Sequence, residues 1–411
     1  MTVAASAAPL IHVVGGVYRE WCLRPTWREI YGSAGRAAVA MATMGASVRL
    51  HAYMDRLAKD SMSAQAALNG FEIAPHDAAS AVRFDYVHGL AAPRIFAPQG
   101  RHDAIEVRAE NIVRFGMLES EAIVHGDTVV YDPQNAVAPA PFGNNGSTAR
   151  RLALILNRHE AALMTGLRDA PVRDMATTLI AEQKAAVVVI KQGPLGAFVQ
   201  DGDHDSSVPA YRSGQVWKIG SGDNFVAHFA RRWISEGRPA AECADLASRA
   251  TAYYCSTSGF ATQAEIDGFA MPPIRPSARY VAGWKPTVYL AGPFFSLAQL
   301  WLVEEARNAL SAMGLQVFSP FHEVGHGSAD DIASQDLAAL MKADLVFALG
   351  DGLDPGTIYE LGHARAAGKP VIVYCENESD GDKKMMAGSG CQFFSDFVSA
   401  IYNASWTACE L

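Results

Sequence analysis

Residues 344–374 read DLVFALGDGLDPGTIYELGHARAAGKPVIVY. An apolar run rich in Leu, Val and Phe passes into an acidic loop bearing Gly and Pro. A segment with helical composition follows, and the stretch closes on a second apolar run, VIVY. Strand, loop, helix and strand in this order make a βαβ unit, the crossover that parallel strands require. Both apolar runs are near-continuous rather than alternating, which fits strands covered on two faces. The loop after the first strand then lies at the carboxyl end of the sheet, where open α/β folds bind ligands. Asp351 and Asp354 fall in that loop. Glu360 falls in the first turn of the helix, where amide groups and the dipole favour an ionised carboxylate.

The same rhythm extends outward in both directions. IHVVGG, ASVRLHAYM, TVVYDP, AAVVVIKQG, TVYLAGP and LQVFSP read as strands, and RAAVAMATMG, LALILNRHEAALMTG, NFVAHFARRWISEG and LWLVEEARNALSAMG as helices. Alternation of this kind predicts an α/β protein with parallel sheets. Residues 268–287 interrupt it with four prolines and no period, as a linker does. The expected division is a domain over residues 1–283 and a smaller one over 284–411.

Composition narrows the function classes. Of 411 residues, 50% are apolar and 19% charged, which excludes a disordered chain. Residues 284–411 hold 7 Lys and Arg against 16 Asp and Glu, so the net charge of −9 belongs to this segment and the rest is neutral. A nucleic-acid binder needs a basic face, so none is expected. No apolar run reaches the length of a membrane span. The opening residues lack a basic leader, and the six cysteines show no CxxC pair. Reduced thiols in a cytoplasmic protein without zinc are the expectation. His322, His326 and His363 lack ligand spacing.

A poised carboxylate with neighbouring carboxylates suits glycosyl transfer, in which one attacks C1′ and an acid protonates the leaving group. By pattern alone Asp351 and Asp354 read equally as helix caps. VYLAGPFF (residues 288–295), the aspartate of KADLVFAL and DPGTIYELGHARAAGKPVI resemble the nucleoside 2-deoxyribosyltransferase family, including relatives that hydrolyse nucleoside 5′-monophosphates. The resemblance covers residues 286–403 and implies a flavodoxin-like or Rossmann-like sheet. It makes Glu360 the nucleophile, with Asp354 and Asp344 orienting and protonating the base. It also places Tyr289 against the nucleophile and Gly292, Phe294 and Phe295 around the base. Asp336 resembles a helix aspartate of the family, or is simply solvated. Ser389, in KKMMAGSGCQFF, sits in an anion nest for a 5′-phosphate or in an ordinary surface turn. The glycosidic step needs no cofactor.

WKIGSGDNFVAHF (residues 217–229) places small residues before a helix, an arrangement that admits an anion. The segment resembles the GAGD-type signature of the PfkB, ribokinase-like family, and further landmarks follow in order across residues 11–262. VVGGVYREW carries Glu20 where a sugar-binding carboxylate usually sits. YGSAGRAAVAMATMG carries Arg36 in place of the expected asparagine. NRHE supplies Asn157 and Glu160 of an N-x-x-E motif. The resemblance implies a ribokinase-like α/β/α domain with Asp223 as base, Gly220, Ser221 and Gly222 as anion hole, and ATP with Mg²⁺ as cofactors. Arg36 and Lys218 suit a phosphorylated ligand, or a domain that binds without transferring phosphate.

Two whole-protein readings follow. One is an enzyme of nucleoside or nucleotide metabolism that cleaves or exchanges an N-glycosidic bond and also phosphorylates a nucleoside or sugar. The other is a regulated effector, for stress or antiviral defence, whose kinase-like domain senses a ligand while the second domain depletes nucleotides or NAD. The expected partners are small nucleosides or nucleotides, with a homodimer or higher assembly built on the second domain.

Overall fold

The computed structural model describes residues 9–98, 100–325 and 329–411. The chain divides into two compact units, one of Met1–Ser213 with Trp217–Pro272, the other of Gly214–Val216 with Pro273–Leu411. The division falls inside the proline-bearing stretch.

In the first unit the strands are β1 (Leu10–Val14), β2 (Arg19–Arg24), β3 (Trp27–Ile30), β4 (Ser47–Met54), β5 (Glu72–Asp77), β6 (Arg83–His88) and β7 (Arg94–Phe96). They continue with β8 (Ile105–Phe115), β9 (Ala122–Asp132), β10 (Thr148–Asn157), β11 (Val187–Lys191), β12 (Ala197–Asp201) and β13 (His204–Val208). Nine of them form one sheet in the order β13-β12-β11-β10-β9-β8-β1-β4-β5, parallel from β11 through β5. Antiparallel β12 and β13 finish one edge.

The run VVVI of β11 explains why the strands are apolar throughout. Val187 and Val189 enter one core with Ala153 and Ile155, while Val188 and Ile190 enter a second with Leu152 and Leu154. Each fully buried side chain of this kind stabilises the fold by about 1.5–3 kcal/mol. Helices cover both faces, and the unit is a three-layer α/β/α domain. A smaller sheet, β3-β2-β6-β7, was not legible as strands. One reading is corrected: LALILN, expected to be helical, is strand β10, and only Arg158–Thr165 after it forms a helix. Five consecutive buried residues, Leu152–Leu156, fit a central strand as well as a buried helix, and periodicity alone does not separate them.

The second unit holds β14 (Thr287–Ala291), β15 (Gln316–Phe318), β16 (Leu345–Leu349), β17 (Val371–Tyr374) and β18 (Gln392–Phe394). They form an all-parallel sheet in the order β15-β14-β16-β17-β18. The chain reverses direction of progress between β14 and β16, and a flavodoxin-like sheet opens its ligand crevice at such a switch point. In the tail, Asp380–Gly388 is helical, with Ser379 as its cap. The stripe of Phe397, Ile401 and Tyr402 on the helix Phe397–Glu410 is buried, and that helix packs on β17, β18 and the helix Leu297–Ala312. It is not an open face. Among the described residues no helix is long and apolar enough to cross a membrane.

Candidate active site and a second carboxylate cleft

The crevice of the second unit is built from the carboxyl ends of β14, β16 and β17. A cavity of about 190 Å³ there is lined by Pro293, Ala298, Gln299, Leu349, Asp351 and Tyr374, among others. Gly292 lets the turn after β14 lie on β16, since a side chain there would start 3.0 Å from Leu349 Cβ. Asp351 anchors the opposite wall: its Oδ1 accepts the backbone N–H groups of Glu376 at 2.9 Å and Asn377 at 2.8 Å. Phe294 packs against Phe295 and Phe321, while Phe295 stays 74% exposed.

Glu360 lies in the second turn of the helix Pro355–Ala366, not the first as expected, and Tyr289 on β14 donates its hydroxyl to Glu360 Oε1 at 2.5 Å. Burial pushes the Glu360 carboxyl up to about 7; the Asp336 and Asp354 charges push the same way, and the tyrosine hydrogen bond opposes them. Tyr289 is itself held far above the ordinary phenol range by burial and by Glu360. Asp354 caps the helix, its Oδ2 accepting from Thr357 N at 2.8 Å and Thr357 Oγ1 at 3.0 Å. Asp336 is brought to the same cluster: burial raises its carboxyl, and its buried Oδ1 has no hydrogen-bond partner.

Two expected site residues lie elsewhere. Asp344 precedes β16, at the amino end of the sheet, and its Oδ2 accepts from Thr287 N at 2.8 Å. The whole length of β16 separates it from the crevice, so it holds the strand start together instead. Ser389 follows the helix Asp380–Gly388 and precedes β18, again at the amino ends, where its hydroxyl donates to Met386 O. Arg365 Nε binds Ser389 O at 2.9 Å and fills the space beside Gly390, so this turn encloses a side chain and forms no open nest. His322 bonds Glu304 and Ser319, and His363 stacks on Tyr359; His326 lies outside the described residues.

A second carboxylate cluster occupies the carboxyl ends of β9 and β11 and the start of the helix Ser221–Ser235. Arg36 is 0% exposed. Its Nη1 donates to Asp223 Oδ2 at 2.8 Å, its Nη2 to Glu20 Oε2 at 2.5 Å, and its Nε to Tyr254 Oη at 3.1 Å. Gly220, at φ +76°, makes room for it: a Cβ there would lie 2.0 Å from Arg36 Nε. Gln134 Nε2 takes the other Asp223 oxygen at 2.5 Å. Asp132 accepts from Lys191 Nζ at 2.7 Å and from Gln134 N at 3.2 Å, and burial pushes its carboxyl up. Glu160 closes a capping box with Asn157, and its second oxygen accepts from Asn135 N. Lys218 donates to Ser221 Oγ at 2.8 Å, and burial lowers its ammonium. Asp132, Gln134, Lys191 and Tyr254 were missed in the sequence; an aspartate closing the strand TVVYD was the one available signal.

All six oxygens of Asp132, Glu160 and Asp223 accept a hydrogen bond from the protein, and each keeps a second lone pair that a hard cation such as Mg²⁺ beside ATP could use. Arg36 has spent its charge on Glu20 and Asp223, so the expectation that it receives a phosphorylated ligand is corrected.

Comparison with known proteins agrees with the two-unit division. Residues 128–267 match the pfkB family of carbohydrate kinases, and residues 288–392 match the nucleoside 2-deoxyribosyltransferase family. Among solved structures, fructokinase from Vibrio cholerae O395 aligns at 12% identity over 64% of this chain and 99% of its own, with a TM-score of 0.50. Its double mutant gives 12%, 64%, 99% and 0.51. Methanocaldococcus jannaschii nucleoside kinase gives 12% identity, 64% and 98% coverage, and a TM-score of 0.47. A search of curated protein sequences gives no match. The chain therefore joins a ribokinase-like unit, similar to pfkB carbohydrate kinases, to a parallel-sheet unit similar to nucleoside 2-deoxyribosyltransferases.

Proposed function

We propose that the second unit cleaves or exchanges the N-glycosidic bond of a nucleoside or nucleotide, with Glu360 attacking C1′. The observation that carries this reading is the Tyr289–Glu360 hydrogen bond beside the sheet's switch point. The tyrosine aims one carboxylate oxygen and leaves the other for the sugar. As the bond from Glu360 to C1′ forms, the bond from C1′ to the base nitrogen breaks and the base takes a proton. Asp336 is the better donor, since burial favours its protonated form. Asp354 is committed to its helix cap. A second base or a water then attacks C1′ and releases Glu360, giving transfer or hydrolysis. No cofactor enters these steps.

The first unit, on this reading, binds a sugar, nucleoside or nucleotide. A homo-oligomer of the second unit belongs to the same reading, because Ser389 is too far from its own crevice to meet a substrate there and would need a partner's.

Chromatography of nucleosides, their 5′-monophosphates and NAD, with and without an acceptor base, tests the proposal. Base release by the wild type that disappears in Glu360→Ala is the expected result. Equal release by both proteins rejects it.

A further inference from the structure

We infer that Arg36 is an internal lock on the first unit, which sets that unit to bind ligand without transferring phosphate. The inference concerns a different cleft and does not depend on the role of Glu360.

A phosphate-accepting hydroxyl must come within about 2.6–3.2 Å of its base to hand over a proton. Around Asp223 that position is taken. The Arg36 guanidinium donates to Asp223 Oδ2 at 2.8 Å and to both Glu20 oxygens, at 3.2 and 2.5 Å. It therefore fills the gap between the base and the carboxylate that would hold a sugar. Gln134 covers the other Asp223 oxygen. Tyr254 Oη accepts from Arg36 Nε and donates its own hydroxyl to Ile219 O at 2.8 Å, so the guanidinium is tied to the chain leading into the Gly220 turn. Tyr31 lies 5.3 Å from the guanidinium carbon and adds a cation–π contact.

The surroundings leave room for the arginine. Gly220 touches it so closely that any side chain there would overlap its Nε. Arg36, Glu20 and Asp223 are all buried. Two carboxylates facing each other in such a place repel unless a cation lies between them, and removing one member of a buried pair leaves an uncompensated charge. A neutral sugar hydroxyl brings no such charge and does not displace the guanidinium. Replacing the expected asparagine by Arg36 thus converts an acceptor subsite into a closed ion cluster. It leaves the neighbouring GSG turn, where Lys218 Nζ, among the described residues, meets only the neutral Ser221 hydroxyl, as the part of the cleft still able to meet a ligand.

The test uses the full chain with Mg-ATP and a panel of hexoses, ribose and nucleosides, reading ADP formation. The wild type is expected to show no acceptor-dependent ADP. Arg36→Asn is expected to gain at least about 100-fold, the scale of general base catalysis, and to lose that gain when Asp223→Asn is added. A merely structural role for Arg36 gives neither the acceptor dependence nor that loss. A folded Arg36→Asn protein as silent as the wild type overturns the inference. Should Arg36→Asn not fold, Arg36→Lys keeps a charge but reaches one carboxylate. It is expected to gain acceptor-dependent ADP formation, less than Arg36→Asn does, and absence of gain overturns the inference as well. Wild-type turnover near the ordinary kinase scale of about 1–100 s⁻¹ overturns it whether or not either variant folds.

Discussion

The Tyr289 hydroxyl meets Glu360 Oε1 at 2.5 Å, across the gap between strand β14 and the helix that follows β16. Tyr289 favours the ionised carboxylate, whereas burial, Asp336 and Asp354 favour the protonated one, and the balance leaves Glu360 at about 7. A nucleophile must be ionised, so base release should rise with pH through a midpoint near 7. A pH–rate profile between 5 and 9 checks this, and a flat profile contradicts it.

Tyr289→Phe removes the one contact that holds Glu360 down. The midpoint should move to higher pH and the rate at pH 7 should fall by about tenfold, one pKa unit being about 1.4 kcal/mol. An unchanged midpoint would mean that the phenol does not act on the carboxylate.

The same raised carboxyl has a consequence for stability. The folded state holds the Glu360 proton more tightly than the unfolded chain does, so this group's contribution is fully present below about pH 4.5 and is lost as pH rises through 7. Glu360→Gln does not titrate. It should be inactive yet more stable than the wild type at pH 8, by on the order of 2 kcal/mol, with the difference closing at pH 5. Thermal midpoints at the two pH values decide it.

Asp336 and Asp344 separate by function. Asp336→Asn should lower kcat by about 10²–10³, as expected for a proton donor. Asp344→Asn should lower the melting temperature through the weakened bond to Thr287 N and keep far more of kcat. The reverse ranking would restore Asp344 to the chemistry.

Light scattering addresses assembly. Ser389 stands at the amino end of β18 and Glu360 beyond the carboxyl end of β16. If Ser389 meets substrate it serves another chain, and Ser389→Ala mixed with Glu360→Ala should restore activity that neither has alone. A fully active protein with the mass of one chain rules out shared sites.

Much of the second unit was legible because its chemistry is local. The loop, the cap and Glu360, all within residues 351–360, follow one another in sequence, and the strand tyrosine lies in a short apolar run. Asp344 was assigned by resemblance alone, and it precedes β16 at the amino end of the sheet, where its carboxylate holds Thr287 N. The first unit was harder. Its strands stood out where Val and Ile were dense, but LALILN carries as much helix as strand signal. Arg36, Glu20, Asp223 and Tyr254 come from four separate places in the chain, and only folding makes them one cluster. A departure from the expected asparagine was visible, but not what the arginine would face.

The Asp351 anchor carries one last implication, in terms of salt. It draws Glu376 and Glu378 to the rim that already holds Asp351 and Asp354, and Gly352 N binds Glu378 Oε1 at 2.8 Å. A crevice rimmed by carboxylates repels an approaching anion, and low-dielectric walls sharpen that field. At 0.01 M ionic strength the repulsion reaches about 30 Å, at 0.15 M only about 8 Å. On the proposed function, added salt should therefore speed capture of a nucleoside 5′-monophosphate while leaving an uncharged nucleoside nearly unaffected, and ionic strength alone would then shift the preference between the two.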